Sequence, residues 1–163
     1  MKFIYYLVFF FWYLLSLLPL RVLYFISDVL FVPLFYGLKY RRGIVHRNIA
    51  GSFPEKTEEE ILKIEKEFYH FFCDYVVETI KLFSMSKKQM MKRMTFSGLD
   101  EVRAELDKAG KKCCFVYLGH YCNWEYVASL QYWFPEIHCG QIYHPLYNKA
   151  FDKLFLRLRG QFG

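Results

Sequence analysis

From Phe3 to Leu20 the chain reads FIYYLVFFFWYLLSLLPL without one charged residue, and after Arg21 apolar residues resume to Leu38, interrupted by Asp28. As a helix, an uncharged run of this length reaches across much of a bilayer's hydrocarbon core. Three placements compete for it. A cleaved signal peptide fits poorly, because the apolar core is too long and no small-x-small cleavage site follows. A buried core helix is the second. The third is a membrane anchor, spanning the bilayer or lying in its interface with Trp12 and the tyrosines at headgroup depth. The anchor accounts for most of the pattern, because the basic step Lys39-Tyr40-Arg41-Arg42 closes the apolar region and the positive-inside tendency leaves such a step in the cytoplasm. Pro19 and Pro33 are expected to divide the region into segments, since proline disrupts helix interiors.

The rest of the 163 residues has an ordinary mixture of side chains, so an anchor over 1–42 followed by a domain over 43–163 is the expected organisation. A net charge of +6 favours an acidic partner: an anionic lipid surface, an acidic carrier protein or nucleic acid. Nucleic acid ranks last, because no Lys/Arg-rich stretch interleaves with aromatics. The five cysteines are odd in number and contain no C-x-x-C pair. A reducing, cytoplasm-facing setting follows more simply than a disulfide framework. His120, Cys122, His138, Cys139 and His144 match no zinc spacing, so neither a metal nor another cofactor is expected.

Thr57-Glu58-Glu59-Glu60 is a capping-box pattern. Ile61, Ile64, Phe68, Phe71, Phe72, Tyr75, Val76 and Ile80 then recur at helical spacing, so a helix is expected from about 57 to about 83. Shorter helices are expected over 86–94 and 99–109, the latter closed by Gly110. Cys113 to Leu118 is a compact apolar run that fits a buried strand, and 137–143 reads as a second. Asn123 can cap a helix to about Trp133, stopped by Pro135, and a further helix is expected over 148–159. This helix–strand alternation reads as α/β.

The chemistry is expected in Leu118-Gly119-His120-Tyr121-Cys122-Asn123-Trp124-Glu125. A histidine in a strand-to-helix turn and a glutamate entering the next helix can converge. The carboxylate would then fix the imidazole tautomer while the other ring nitrogen takes a proton from a hydroxyl or amine. Gly119 allows close approach of a ligand or backbone. The bland alternative has the histidine satisfying a backbone group and Glu125 on a solvated helix face. Arg157 and Arg159 read equally well as a basic helix C-terminus favoured by the dipole.

Taken in order, Tyr40-Arg41-Arg42, Arg47-Asn48-Ile49, Ser52-Phe53-Pro54-Glu55-Lys56, Asp74, Glu78-Thr79-Ile80-Lys81, Gly119-His120, Asn123-Trp124-Glu125, Tyr143-His144-Pro145-Leu146-Tyr147-Asn148, Arg159 and Phe162-Gly163 resemble the late lipid A biosynthesis acyltransferases of Gram-negative bacteria, in their Bacteroides-like form, and the related bacterial lysophospholipid acyltransferases. The resemblance covers nearly the whole chain. It implies a glycerolipid-acyltransferase-like core, a mixed sheet with flanking helices, behind the hydrophobic anchor. It also implies that the family continues beyond Gly163, so that only part of the sheet is expected here.

By the same resemblance, His120 is the general base and Glu125 its orienting partner, Arg159 lies by the acceptor phosphate, and Asn123 and Gly119 line the substrate site. The acyl donor is acyl carrier protein or acyl-CoA, the acceptor a membrane glycolipid, and the place the cytoplasmic face of the inner membrane. Cys122 departs from the family's commoner glycine. The alternatives are an acyltransferase acting on a lysophospholipid or aminolipid, and a membrane-associated scaffold without turnover.

Overall fold

The computed structural model describes residues 2–136 and 138–162, with side chains from Tyr5 onward. It consists of α1 (Lys2–Ser16), α2 (Leu20–Val32), a π-helical turn (Pro33–Gly37), α3 (Arg42–Ser52), α4 (Glu58–Leu82), α5 (Lys87–Arg93), α6 (Leu99–Lys108), a 3-10 helix (Trp124–Tyr132) and α7 (Lys149–Arg159). These fall into two compact units, one of residues 10–84 and the other of residues 1–9 with 85–163.

Among the described residues there is no strand, which overturns the expected mixed sheet. The stretch Cys113–Leu118 has no regular secondary structure, with Phe115 78% and Tyr117 93% exposed. Residues 138–143 form no strand either, and Ile137, at the start of that expected strand, lies outside the described residues. An apolar run becomes a strand only when a neighbour takes up its backbone N–H and C=O groups. Here neither stretch supplies that neighbour.

The helical expectations fare differently. Thr57 and Glu60 form the capping box that opens α4, and Ser86 with Gln89 forms another that opens α5. Each such cap stabilises a helix start by about 1 kcal/mol. Gly110 follows α6 at φ +61°, where glycine avoids the Cβ clash. Asn148 caps α7 through the N–H groups of Ala150 and Phe151. Pro19 and Pro33 do mark segment starts, at the N-cap of α2 and the first residue of the π-helical turn.

In the unit of residues 10–84, α2 and the π-helical turn run antiparallel to α4. Leu23, Ser27, Phe31 and Phe35 recur every fourth residue and are buried. Against them, Tyr24 donates to Glu78 (2.5 Å), Ser27 donates to Asp74 (2.6 Å), the Phe31 ring stacks on His70 (3.6 Å) and Phe35 meets Tyr69 edge-on (5.3 Å). Two non-glycine residues in the left-handed region, Lys39 and Arg41 (φ +48° and +53°), turn the chain into α3. Such conformations cost about 1–2 kcal/mol each. The Tyr69 hydroxyl, donating to the Tyr40 carbonyl, and the Arg42–Glu65 ion pair (2.6 Å) clasp the turn from either side.

The end of α1 shows how completely this unit satisfies its backbone. Helix termini leave their last four carbonyls unpaired. Ser16 Oγ donates to the Tyr13 carbonyl, and the N–H groups of Leu17 and Leu18 take those of Leu14 and Leu15. The buried Lys81 ammonium and the Ser84 hydroxyl both donate to the Ser16 carbonyl, and Lys81 also reaches the Leu18 carbonyl at 3.0 Å. Burial pushes the Lys81 pKa below the usual lysine range.

The asymmetry of the Arg42–Glu65 pair yields a test. Glu65 is 1% exposed and Arg42 30%. Arg42→Ala leaves the buried Glu65 carboxylate with only the His46 ring, Nδ1 at 3.5 Å, and also removes the guanidinium from the Phe35 ring, 4.2 Å away. It should destabilise by roughly 3–5 kcal/mol, the range for breaking a buried pair. Glu65→Gln leaves a cation that still reaches water and should cost less. Denaturant unfolding of both variants checks the order, and a larger loss for Glu65→Gln contradicts it.

Candidate functional site

All five expected site residues fall within the unit containing residues 85–163. The amphipathic helix α7 buries Leu154 and Leu158, four residues apart, and this places Arg159 at the helix end beside Glu125. The guanidinium grips both carboxylate oxygens, Nε to Oε2 at 2.8 Å and Nη2 to Oε1 at 2.6 Å. Paired forks of this kind are among the stronger charge-assisted contacts. Glu125 is 3% exposed and Arg159 25%. The rings of Tyr143 and Phe155 lie 5.8 and 5.3 Å from the guanidinium carbon.

His120 stands apart from this pair in bonding. It is exposed, and its ring meets Trp124 edge-on at 4.5 Å. Among the described residues neither ring nitrogen of His120 hydrogen-bonds to Glu125, whose hydrogen bonds go to Arg159. Thus Glu125 and Arg159, expected in separate roles, are brought together, while the imidazole is open to an incoming molecule.

The remaining residues explain the local turn. Cys122 has φ +48°, in the left-handed region that favours glycine. A glycine, which the resemblance leads one to expect here, would hold this conformation without a Cβ clash. Gly119 has open space where a Cβ would stand, so no other part of the chain crowds it. Asn123 occupies the N-cap position without a side-chain capping bond, and the helix it precedes is 3-10 rather than α.

Sequence reasoning passed over two residues that organise this unit. Arg103 of α6 reaches Glu136 and Asp100 at 2.8 Å each, and its guanidinium lies over the Phe134 ring. Gln131 donates to the Phe134 carbonyl and accepts from the Cys139 N–H. The Arg103–Glu136 and Gln131–Cys139 contacts join residues in separate segments, where helical periodicity carries no signal. Burial raises the Cys139 thiol pKa, which leaves it poorly nucleophilic. Among the described residues no three His, Cys, Asp or Glu side chains gather as a metal site.

An exposed imidazole can exchange a proton with a bound group, and the comparisons with known proteins supply the class of reaction. The family model for bacterial lipid A biosynthesis acyltransferases matches residues 1–163, so the chain belongs to that family and is an acyltransferase. Membership implies an acyl donor and a lipid A-like acceptor, and the family is a membrane-associated group. No curated protein and no solved structure matches the chain.

The buried pair makes a stability prediction. Arg159→Ala leaves the Glu125 carboxylate buried with no cation and should destabilise this unit by about 3–5 kcal/mol. Adding Glu125→Gln in the same chain should recover much of the loss, because the remaining amide carries no charge. Thermal unfolding followed by tryptophan fluorescence measures both. A double variant no more stable than Arg159→Ala contradicts the assignment.

Proposed function

We propose that the protein moves a fatty acyl chain from an acyl thioester to a hydroxyl of a lipid A precursor or related glycolipid at the cytoplasmic face of the inner membrane, with His120 as the general base. The observation that carries this reading is the family match along the entire chain. Exposure of the His120 ring supports its role, because a base must reach the hydroxyl whose proton it accepts. The acceptor oxygen attacks the thioester carbonyl directly, the thiolate leaves, and no enzyme-bound acyl group is needed. Acyl carrier protein is the preferred donor, since such carriers are acidic and this chain is basic at +6.

Glu125 is the orienting carboxylate. An ionised carboxylate offers about four acceptor positions, and the Arg159 fork occupies two. The remaining positions leave room for an imidazole N–H when substrate draws His120 inward. Catalytic hydrogen bonds are often formed only in the substrate complex. Arg159 fixes the carboxylate and sits at the edge where an acceptor phosphate would arrive, with Asn123 and Gly119 in the same turn. Residues 1–38 attach the protein to the membrane through apolar burial, and the basic step after them adds electrostatic attraction. Among the described residues one helical stretch, Leu20–Gly37, is long and apolar enough to cross a membrane.

The test uses membranes from cells expressing the gene in full, supplied with a lipid A precursor and either acyl carrier protein or coenzyme A thioesters. His120→Ala should lower turnover roughly 100- to 10,000-fold, the usual range for loss of a general base. His144→Ala, an exposed control outside the turn, should stay within about a few-fold of wild type, far inside that range. Near-normal transfer by His120→Ala with loss in His144→Ala identifies the wrong histidine. Equal or better use of the coenzyme A donor overturns the carrier preference alone.

A further inference from the structure

We infer that α2 does not cross the bilayer but lies in the plane of one leaflet, its outer face in the acyl chains of an anionic membrane and α4 on the aqueous side. This rests on the membrane attachment proposed above and specifies its geometry.

On its inner side α2 is bound to α4. Contacts run the length of α2 and its π-helical extension: Tyr24 to Glu78, Ser27 to Asp74, Phe31 to His70, Phe35 to Tyr69. A helix held this way cannot change its orientation without α4. Yet α4 carries charge along its length, from Glu58, Glu59 and Glu60 in the first turn through Lys63, Lys66, Glu67 and Asp74 to Lys81. Lys63 and Glu67 are exposed. Ionisable groups within a membrane face a bundle interior or a water-filled cavity, not lipid. Lys63 and Glu67 lie at or beyond the end of α2, but Asp28 at its middle is 72% exposed and stands 4.0 Å from the 49% exposed His70 of α4, and a spanning α2 would put this pair in hydrocarbon.

The outer face of α2 is apolar. Val22, Phe25, Val29, Val32 and Tyr36 are exposed at spacings of three and four, so they form one apolar line along α2 and the turn after it. At 100° per residue this line lies opposite the buried Leu23–Ser27–Phe31 face, and the exposed Arg21 and Asp28 fall at a border between the two faces. That is the arrangement of an in-plane helix, apolar below and polar at the waterline.

A second copy of the chain could cover so narrow a line as a coiled-coil seam. The neighbouring helix α1 favours lipid instead. Its exposed Phe10, Phe11, Tyr13, Leu14 and Leu15 span an arc of roughly 200° at 100° per residue, about twice the stripe that a single packed helix covers. A fluid acyl phase covers such an arc without a defined partner. The exposed cations Lys39 and Arg41 follow the apolar face directly and match an anionic headgroup layer.

Depth-dependent fluorescence quenching tests this in the full chain bound to phosphatidylethanolamine–phosphatidylglycerol vesicles. A thiol-reactive fluorophore is placed in turn on Val22→Cys, Val29→Cys and Tyr36→Cys, with Cys113, Cys114, Cys122 and Cys139 replaced by serine and buried Cys73 retained. Lipids with quenchers at known positions report each depth. An in-plane α2 gives three similar depths, all shallow. A spanning α2 gives depths graded over about 21 Å, the rise of fourteen helical residues, and overturns the inference while leaving attachment intact. Unquenched fluorophores on vesicle-bound protein, with Val29→Cys chains cross-linking to each other, make a second copy the occupant and also overturn it. Failure to bind vesicles at all defeats the attachment reading, and this inference with it.

Discussion

The antiparallel pairing of α2 with α4 is the constraint on which the unit of residues 10–84 depends. An apolar helix packed on an amphipathic one could slide, because dispersion contacts alone are nearly indifferent to register. Hydrogen bonds from Tyr24 to Glu78 and from Ser27 to Asp74 remove that freedom. A slip by one residue would leave carboxylates in the seam without donors, and each such group costs more than a normal hydrogen bond contributes. The same logic governs the ends of the pairing. Lys81 closes one by capping α1, and Glu65 closes the other by holding Arg42 below a strained turn. The few polar groups in the greasy region therefore set its geometry, while the apolar majority supplies burial.

The unit containing residues 85–163 is organised around ion pairs between separate short elements. Glu125 and Arg159 join the 3-10 helix to α7, and Arg103 joins α6 to the residues after the 3-10 helix. In our reading Glu125 has two tasks on one carboxylate: two acceptor positions hold the Arg159 fork, and the remaining lone pairs orient His120.

Local signals in the sequence carried much of this and failed where partners were distant. The start of α4 follows from Thr57 and Glu60, since a capping box is written within four residues. Cys122 was conspicuous as a departure from glycine, and its positive φ supplies the reason. The sheet was expected because Cys113–Leu118 has the composition of a buried strand, but composition cannot provide the neighbouring strand that makes one. Glu65, Lys81 and Glu125 have the look of solvated charges in a list of residues, and all three are buried. Their partners lie 23, 65 and 34 positions away, beyond the reach of helical periodicity.

Hydrogen exchange of the vesicle-bound protein tests the helix pairing most directly, by comparing wild type with Asp74→Ala. If α2 is held by α4 through the seam, losing the Asp74 acceptor should lower the protection of amides in both helices together, because they open as one unit. If α2 keeps its full protection while α4 loses its own, lipid and not α4 shields α2, and the account of the paired helices is wrong.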